Sequence, residues 1–256
     1  MTGTTDTALT RRTPYVKATM AQAVMEFRLL LRAPESLVVI LGIPLGILVF
    51  FSTVDVLPTG ETDAVTFLVP GVLSISVAAT GLVAVAIQTA FERKYGVLKR
   101  IGGTPLPRSA FLLAKGLAVG LVLSVQLALV FGLARLLLGW QPTAGLITVP
   151  LLVLLGALTM TAMGLALAGA VRAEATLAIT NAAFLVFLVV SGATFSADAL
   201  PDGLATFGEI LPVGALTVLL RDAFDGAGVQ LGAVLSLAGW GVAALLIATR
   251  TFRWEP

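Results

Sequence analysis

Cysteine and histidine are both missing from this chain. Their absence excludes disulfides, thiolate metal sites, histidine-ligated haem, and Ser-His or Cys-His nucleophilic catalysis. Charge is scarce too: 12% of the residues are Asp, Glu, Lys or Arg, against about 25% in an ordinary soluble domain. No GxxxxGK[ST] run occurs, so the sequence carries no phosphate-cradling P-loop. The N-terminal stretch lacks the short apolar core of a signal peptide, so insertion is expected to rely on the first span.

What is there is apolar. Hydrophobic residues make up 58% of 256, and the mean hydropathy is +1.02. Long uncharged stretches in such a chain mean membrane spans. The net charge of +2 comes from basic residues clustered beside those stretches. That distribution is not the aromatic-laced basic patch of a nucleic-acid binder, so no nucleic-acid partner is expected.

Charges mark the boundaries. Ala18–Arg32 has apolar Met20, Val24, Phe27 and Leu31, with Ala21 and Met25, at helical spacing, opposite Gln22, Glu26 and Arg28. This pattern predicts an amphipathic helix lying in the membrane interface, or else the first turn of the following span. Pro34 argues for a break between the two. Glu35 and Asp55 enclose 19 uncharged residues, one span in length, with a kink expected at Pro44. Further spans are predicted at about 66–89, 111–135, 146–171, 175–194 and 231–249, after the first at 36–54. The Gly139–Pro142 turn signal separates the third from the fourth. Between the fifth and the last lies an acidic segment, 195–228, whose longest uncharged run is 11 residues. That run cannot cross a bilayer as a helix, but it can dip in as a hairpin broken at Pro201 and Pro212. The fold class is an all-α membrane protein of six spans in one domain.

Fourteen of the 16 cations then fall on one side, and the opposite loops carry eight acids against Arg135 and Arg221. The positive-inside rule places both termini in the cytoplasm. The spans hold no ionisable residue near their centres, which disfavours ion-coupled transport. Gln88, Gln126 and Asn181 are expected to glue helices together, or else to line a substrate path. Glycine pairs Gly42/Gly46, Gly116/Gly120 and Gly228/Gly232 have the spacing of close helix approach. Trp140 and Trp254 are expected to anchor at the membrane edge. Asp198, Asp202 and Glu209 are the external candidates for chemistry and read most simply as a solvated loop.

The densest charge lies in the insert FERKYGVLKRIGGTPLP, 91–107, which has five charges in its first ten residues. It must sit in water between two spans. One reading is a solvated loop that fixes topology. The other is a short surface helix over Phe91–Ile101, with Val97, Leu98 and Ile101 on one face, Glu92, Lys99 and Arg100 exposed, and Gly102, Gly103 and Pro105 ending it.

This insert resembles the first cytoplasmic loop of the ABC type-2 transporter permease family, a pattern of Glu-Arg-acid-x-Gly-x-Leu and a later Pro. Here the matching residues are Glu92, Arg93, Gly96, Leu98 and Pro105, with Lys94 in place of the acid. The helix before the first span, with Glu26, Phe27, Arg28 and Arg32, is similar to the family's connecting helix. The stretch from Ser191 to Pro212 resembles its extracellular re-entrant element, with Phe195 followed by Ser196 where the family often has Pro. The resemblance implies a subunit of an ATP-driven exporter of an amphiphilic drug, lipid or glycan, sited in a bacterial plasma membrane. It implies no catalytic residue and no bound cofactor or metal in this chain. ATP and Mg would sit on two separate cytosolic ATPase subunits, and a second permease chain would complete the transporter. Docking would fall to Glu92, Arg93, Lys99 and Arg100, with Tyr95 and Leu98 as apolar contacts. The rival reading is an ion-coupled secondary transporter or channel, for which an inverted repeat would be the signature.

Overall fold

The computed structural model describes residues 15–32, 38–53, 64–195 and 200–251. Among them every regular element is helical. In chain order these are α1 (Tyr15–Leu31), α2 (Ile43–Thr53, after a π-helical turn at Val38–Gly42) and α3 (Ala64–Lys94). Then follow α4 (Val97–Gly102), α5 (Arg108–Leu137), α6 (Thr148–Ala170), α7 (Ala173–Val190), α8 (Asp202–Ile210), α9 (Pro212–Asp225) and α10 (Leu231–Thr251).

Five of these, α3, α5, α6, α7 and α10, are long and apolar enough to cross a membrane. They overlap the segments expected as the second to sixth spans. The expected first span is described over 38–53 only, as a shorter apolar helix. α3 is longer than expected. A π-helical stretch at Ala78–Ala84 interrupts its middle, and the helix carries on to Lys94.

The helices pack around one core. Leu48, Leu82, Phe111, Met160, Leu216 and Leu237 are fully buried at its centre. Outward faces are apolar as well: Leu121, Leu151, Leu185 and Leu245 are exposed on four different helices. Lipid is the natural neighbour of such faces, because bilayer chains are as apolar as leucine.

Close approach depends on glycines that the spacing rule did not single out. A Cβ at Gly71 would collide with the Ala193 carbonyl, and one at Gly208 with the Val190 carbonyl. Gly116 and Gly120 do face α6, where Leu158 and Leu154 lie over them, whereas Gly46, Gly228 and Gly232 have open space.

α8 and α9 meet at an 86° bend. Pro212 is the cause. A proline forces the preceding residue out of the α region, and Leu211 sits at φ −66° and ψ 148°. Proline is also well suited to the first helical position of α9. The freed Ile210 carbonyl accepts from Ser236 Oγ at 2.7 Å and Trp240 Nε1 at 3.0 Å, both on α10. At its other end, α9 offers the Phe224 carbonyl to Thr143 Oγ1 at 2.7 Å. Pro201 precedes α8 and is exposed, as is Phe195.

Two expectations are corrected by the packing. Trp140 is buried between Phe131 and Phe224, and its Nε1 donates to Thr66 Oγ1 at 3.2 Å. It is an internal aromatic pin, not an edge anchor. Asn181, expected to join helices, is exposed on α7. Trp254 and Asp198 lie outside the described residues.

Candidate functional site

The insert is two pieces, not one helix over Phe91–Ile101. Its first four residues complete α3. Gly96 then adopts φ 73°, a left-handed conformation that glycine enters without a Cβ penalty. Tyr95 and Gly96 close the turn on the Phe91 and Arg93 carbonyls, and α4 departs in a new direction. The glycine of the motif is thus a hinge between a span and a surface helix.

This break sorts the charged residues. Tyr95 is 70% exposed, and Lys99, Arg100 and Pro105 are exposed with it. Leu98 is fully buried in the common core. It anchors α4 to the spans and offers no surface to a partner, while Val97 on the same short helix stays exposed. Ile101, three residues on and so on the same face, packs half-buried against the same core.

Glu92 and Arg93 are still on α3 and turn toward the protein. Arg93 donates to the Gly169 carbonyl at 3.0 Å and the Val171 carbonyl at 2.6 Å. Those carbonyls end α6, where helical donors run out and the dipole is negative. A planar guanidinium reaches two of them at once. Lys94, standing where the family pattern has an acid, pairs with Glu174 at the start of α7. Both groups are exposed, so this pair adds little stability.

Glu92 belongs to a buried ionic cluster. Lys115, on α5 and 3% exposed, places Nζ 3.0 Å from Glu92 Oε2 and 3.0 Å from Glu26 Oε2. Gln88 Nε2 donates to Glu92 Oε1 at 2.7 Å and to Glu26 Oε2 at 3.3 Å. Gln22 Nε2 completes the set, 2.9 Å from Glu26 Oε1. The ammonium also lies 5.2 Å from the Phe111 ring centroid. Buried charges are costly unless paired and hydrogen-bonded, and these are both. The cluster joins α1, α3 and α5, with Glu92 Oε2 held by its ion pair to Lys115 and by no hydrogen bond; its chemistry is that of a clamp.

Glu26 therefore faces inward, opposite to the amphipathic expectation. Among the described side chains of α1 the buried ones are Thr19, Ala23 and Glu26, while Met20, Val24 and Met25 are exposed and Phe27 is half-buried. Arg28 and Arg32 are exposed. The helix packs its polar edge on the bundle and turns apolar residues outward. Between α1 and Thr104–Pro107 runs a groove of about 870 Å³, walled by Tyr15, Ala18, Ala21, Gln22 and Met25.

Sequence reasoning missed the clamp because each member had a plausible local role. Lys115 was one of the fourteen cations counted on one side, Glu26 read as a solvated helix face and Gln88 as glue. One signal was available: Lys115 is seven residues into α5, about 10 Å from its start, inside an otherwise apolar run.

No curated protein is similar enough to this chain to count as a relative. The family pattern of the ABC-2 type transporter, in contrast, matches residues 18–224, from the clamped α1 through the hinged insert to the end of α9. With its apolar helices and an insert braced against them, this chain belongs to the ABC-2 type transporter family.

Proposed function

We propose that the chain is the membrane-spanning half of an exporter powered by two separate ATPase subunits. A second permease chain, identical or a sister, completes the pore. The insert face is cytoplasmic, both termini lie there, and the membrane is the plasma membrane. α1 rests in the inner interface as the connecting helix. The α8–α9 pair dips in from the outer face and returns, its bend beside Trp240. The cargo is an amphiphile: a drug, a lipid or a glycan.

One observation carries this reading. Tyr95, Lys99 and Arg100 are exposed at a hinge whose reverse side is rooted in the bundle by Leu98 and Arg93. A push on the exposed side must move α3. Through Lys115 it must also move α5 and α1. ATP-driven closure of the motor subunits would supply that push, and the spans would reorient around the cargo.

The buried cluster also gives the rival reading its one foothold, because paired carboxylates can carry a coupling proton. A single experiment separates the two. Inside-out vesicles are assayed for substrate uptake with ATP, with and without the co-expressed ATPase, and with an imposed proton gradient. Uptake that needs both ATP and the ATPase supports the exporter. Uptake driven by the gradient alone rejects it.

A further inference from the structure

The two flanks of α1 are different surfaces. One flank, with Ala18, Ala21, Gln22 and Met25, borders the groove against the insert. The other carries Val16, Met20 and Val24, which are 66%, 53% and 43% exposed. Along the outward edge of that second flank lie Lys17 and Arg28, both exposed. Lys17, Met20, Val24 and Arg28 follow at three- and four-residue steps, so they form one continuous stripe.

The sign of this stripe is set by the clamp. α1 contains a single acid, Glu26. That carboxylate is buried against Lys115 on the opposite side of the helix. The outward surface of α1 is left with cations and apolar side chains. A cationic edge beside an apolar one matches a leaflet with anionic headgroups over acyl chains. A soluble acidic partner would match the cations but would leave Val16, Met20 and Val24 without apolar cover.

We infer that Lys17 and Arg28 on α1 bind anionic phospholipid headgroups of the inner leaflet, with Val16, Met20 and Val24 inserted beneath them. The inference rests on the interfacial placement of α1 proposed above. It adds a lipid specificity that the placement alone does not require.

The absence of native cysteine makes a direct test simple. Full-length chain carrying Met20→Cys, labelled with a fluorophore, is reconstituted in phosphatidylcholine nanodiscs. Doxyl-labelled phosphatidylglycerol or doxyl-labelled phosphatidylcholine is included at equal mole fraction. The anionic quencher should be enriched near the label at least about threefold over the neutral one, given two cations at the surface. In 0.5 M NaCl the preference should fall toward unity, because salt shortens the screening length to a few ångströms. Lys17→Gln/Arg28→Gln should abolish it at low salt while quenching by the neutral lipid persists. Equal quenching by both lipids in the labelled Met20→Cys protein with Lys17 and Arg28 intact overturns the inference and leaves α1 in the interface. Quenching by neither lipid overturns the interfacial placement as well. Cross-linking of Lys17 and Arg28 to a co-purified ATPase, with no lipid preference, would assign the stripe to that protein instead. The salt series needs no charge variant, so poor folding of the double substitution cannot mask the result.

Discussion

Gln126 on α5 donates from Nε2 to the Ile40 carbonyl at 3.0 Å. Ile40 stands four residues before Pro44, and a proline at that distance has no N–H to give it. The amide of one helix thus replaces the backbone donor that the other lost. The π-helical turn at Val38–Gly42 lies at this point, and Pro44 itself is buried in the helix that follows.

Gln126→Leu should cost about 0.5–2 kcal/mol, the range for a polar contact between membrane helices. In a Pro44→Ala background the same substitution should cost less, because the backbone can then supply its own donor. Thermal unfolding of all four proteins in one detergent gives the coupling energy. Equal costs in both backgrounds would show that Gln126 does not serve this carbonyl.

Lys115→Met should be far more damaging than Glu26→Gln. Removing the ammonium leaves the buried Glu26 carboxylate facing the half-buried Glu92 carboxylate, a loss of about 3–5 kcal/mol. The amide in Glu26→Gln keeps a hydrogen-bonding group and leaves Lys115 paired with Glu92, so the loss should be about 1–2 kcal/mol. Melting curves in nanodiscs, read by tryptophan fluorescence, would rank the two variants. A smaller effect for Lys115→Met would mean that the cluster is hydrated.

Leu98→Ala and Tyr95→Ala separate stability from coupling. Leu98 is fully buried, so truncation should cost about 2–4 kcal/mol in the isolated chain. Tyr95 is mostly exposed, so its truncation should leave the melting temperature unchanged and lower ATP-dependent transport. Intact transport by Tyr95→Ala would remove it from the docking surface.

Lys94 and Glu174 form an exposed pair, and exposed pairs are weak. Lys94→Ala and Glu174→Ala should melt with the parent protein, and so should the charge-swapped double variant. A clear drop in either single variant would mean that the loop between α6 and α7 depends on this pair.

Much of the fold was legible because lipid imposes simple rules. A chain crossing hydrocarbon must satisfy its backbone internally and stay uncharged for about 20 residues. Arg108, Arg135, Arg172 and Arg250 therefore lie close to helix limits that the structure draws nearly where the charges put them. Pro212 was legible for a related reason, since it restricts the backbone before it, whereas the break at Gly96 was not, because the helix expected over Phe91–Ile101 ran straight through it.

The direction in which a side chain points was not legible. Glu26 and Glu92 look alike in sequence to any solvated carboxylate near a membrane face. Glu26 is buried and Glu92 half-buried because Lys115, distant along the chain, lies between them. Leu98 turns inward and Val97 outward because the hinge at Gly96 sets the angle of a helix with fewer than two turns. Composition and charge order decided that this chain lives in a membrane, with a charged insert between its helices. The three-dimensional arrangement decided which of those charges meet each other, because a buried ion pair is a contact between helices and has no local pattern along the chain.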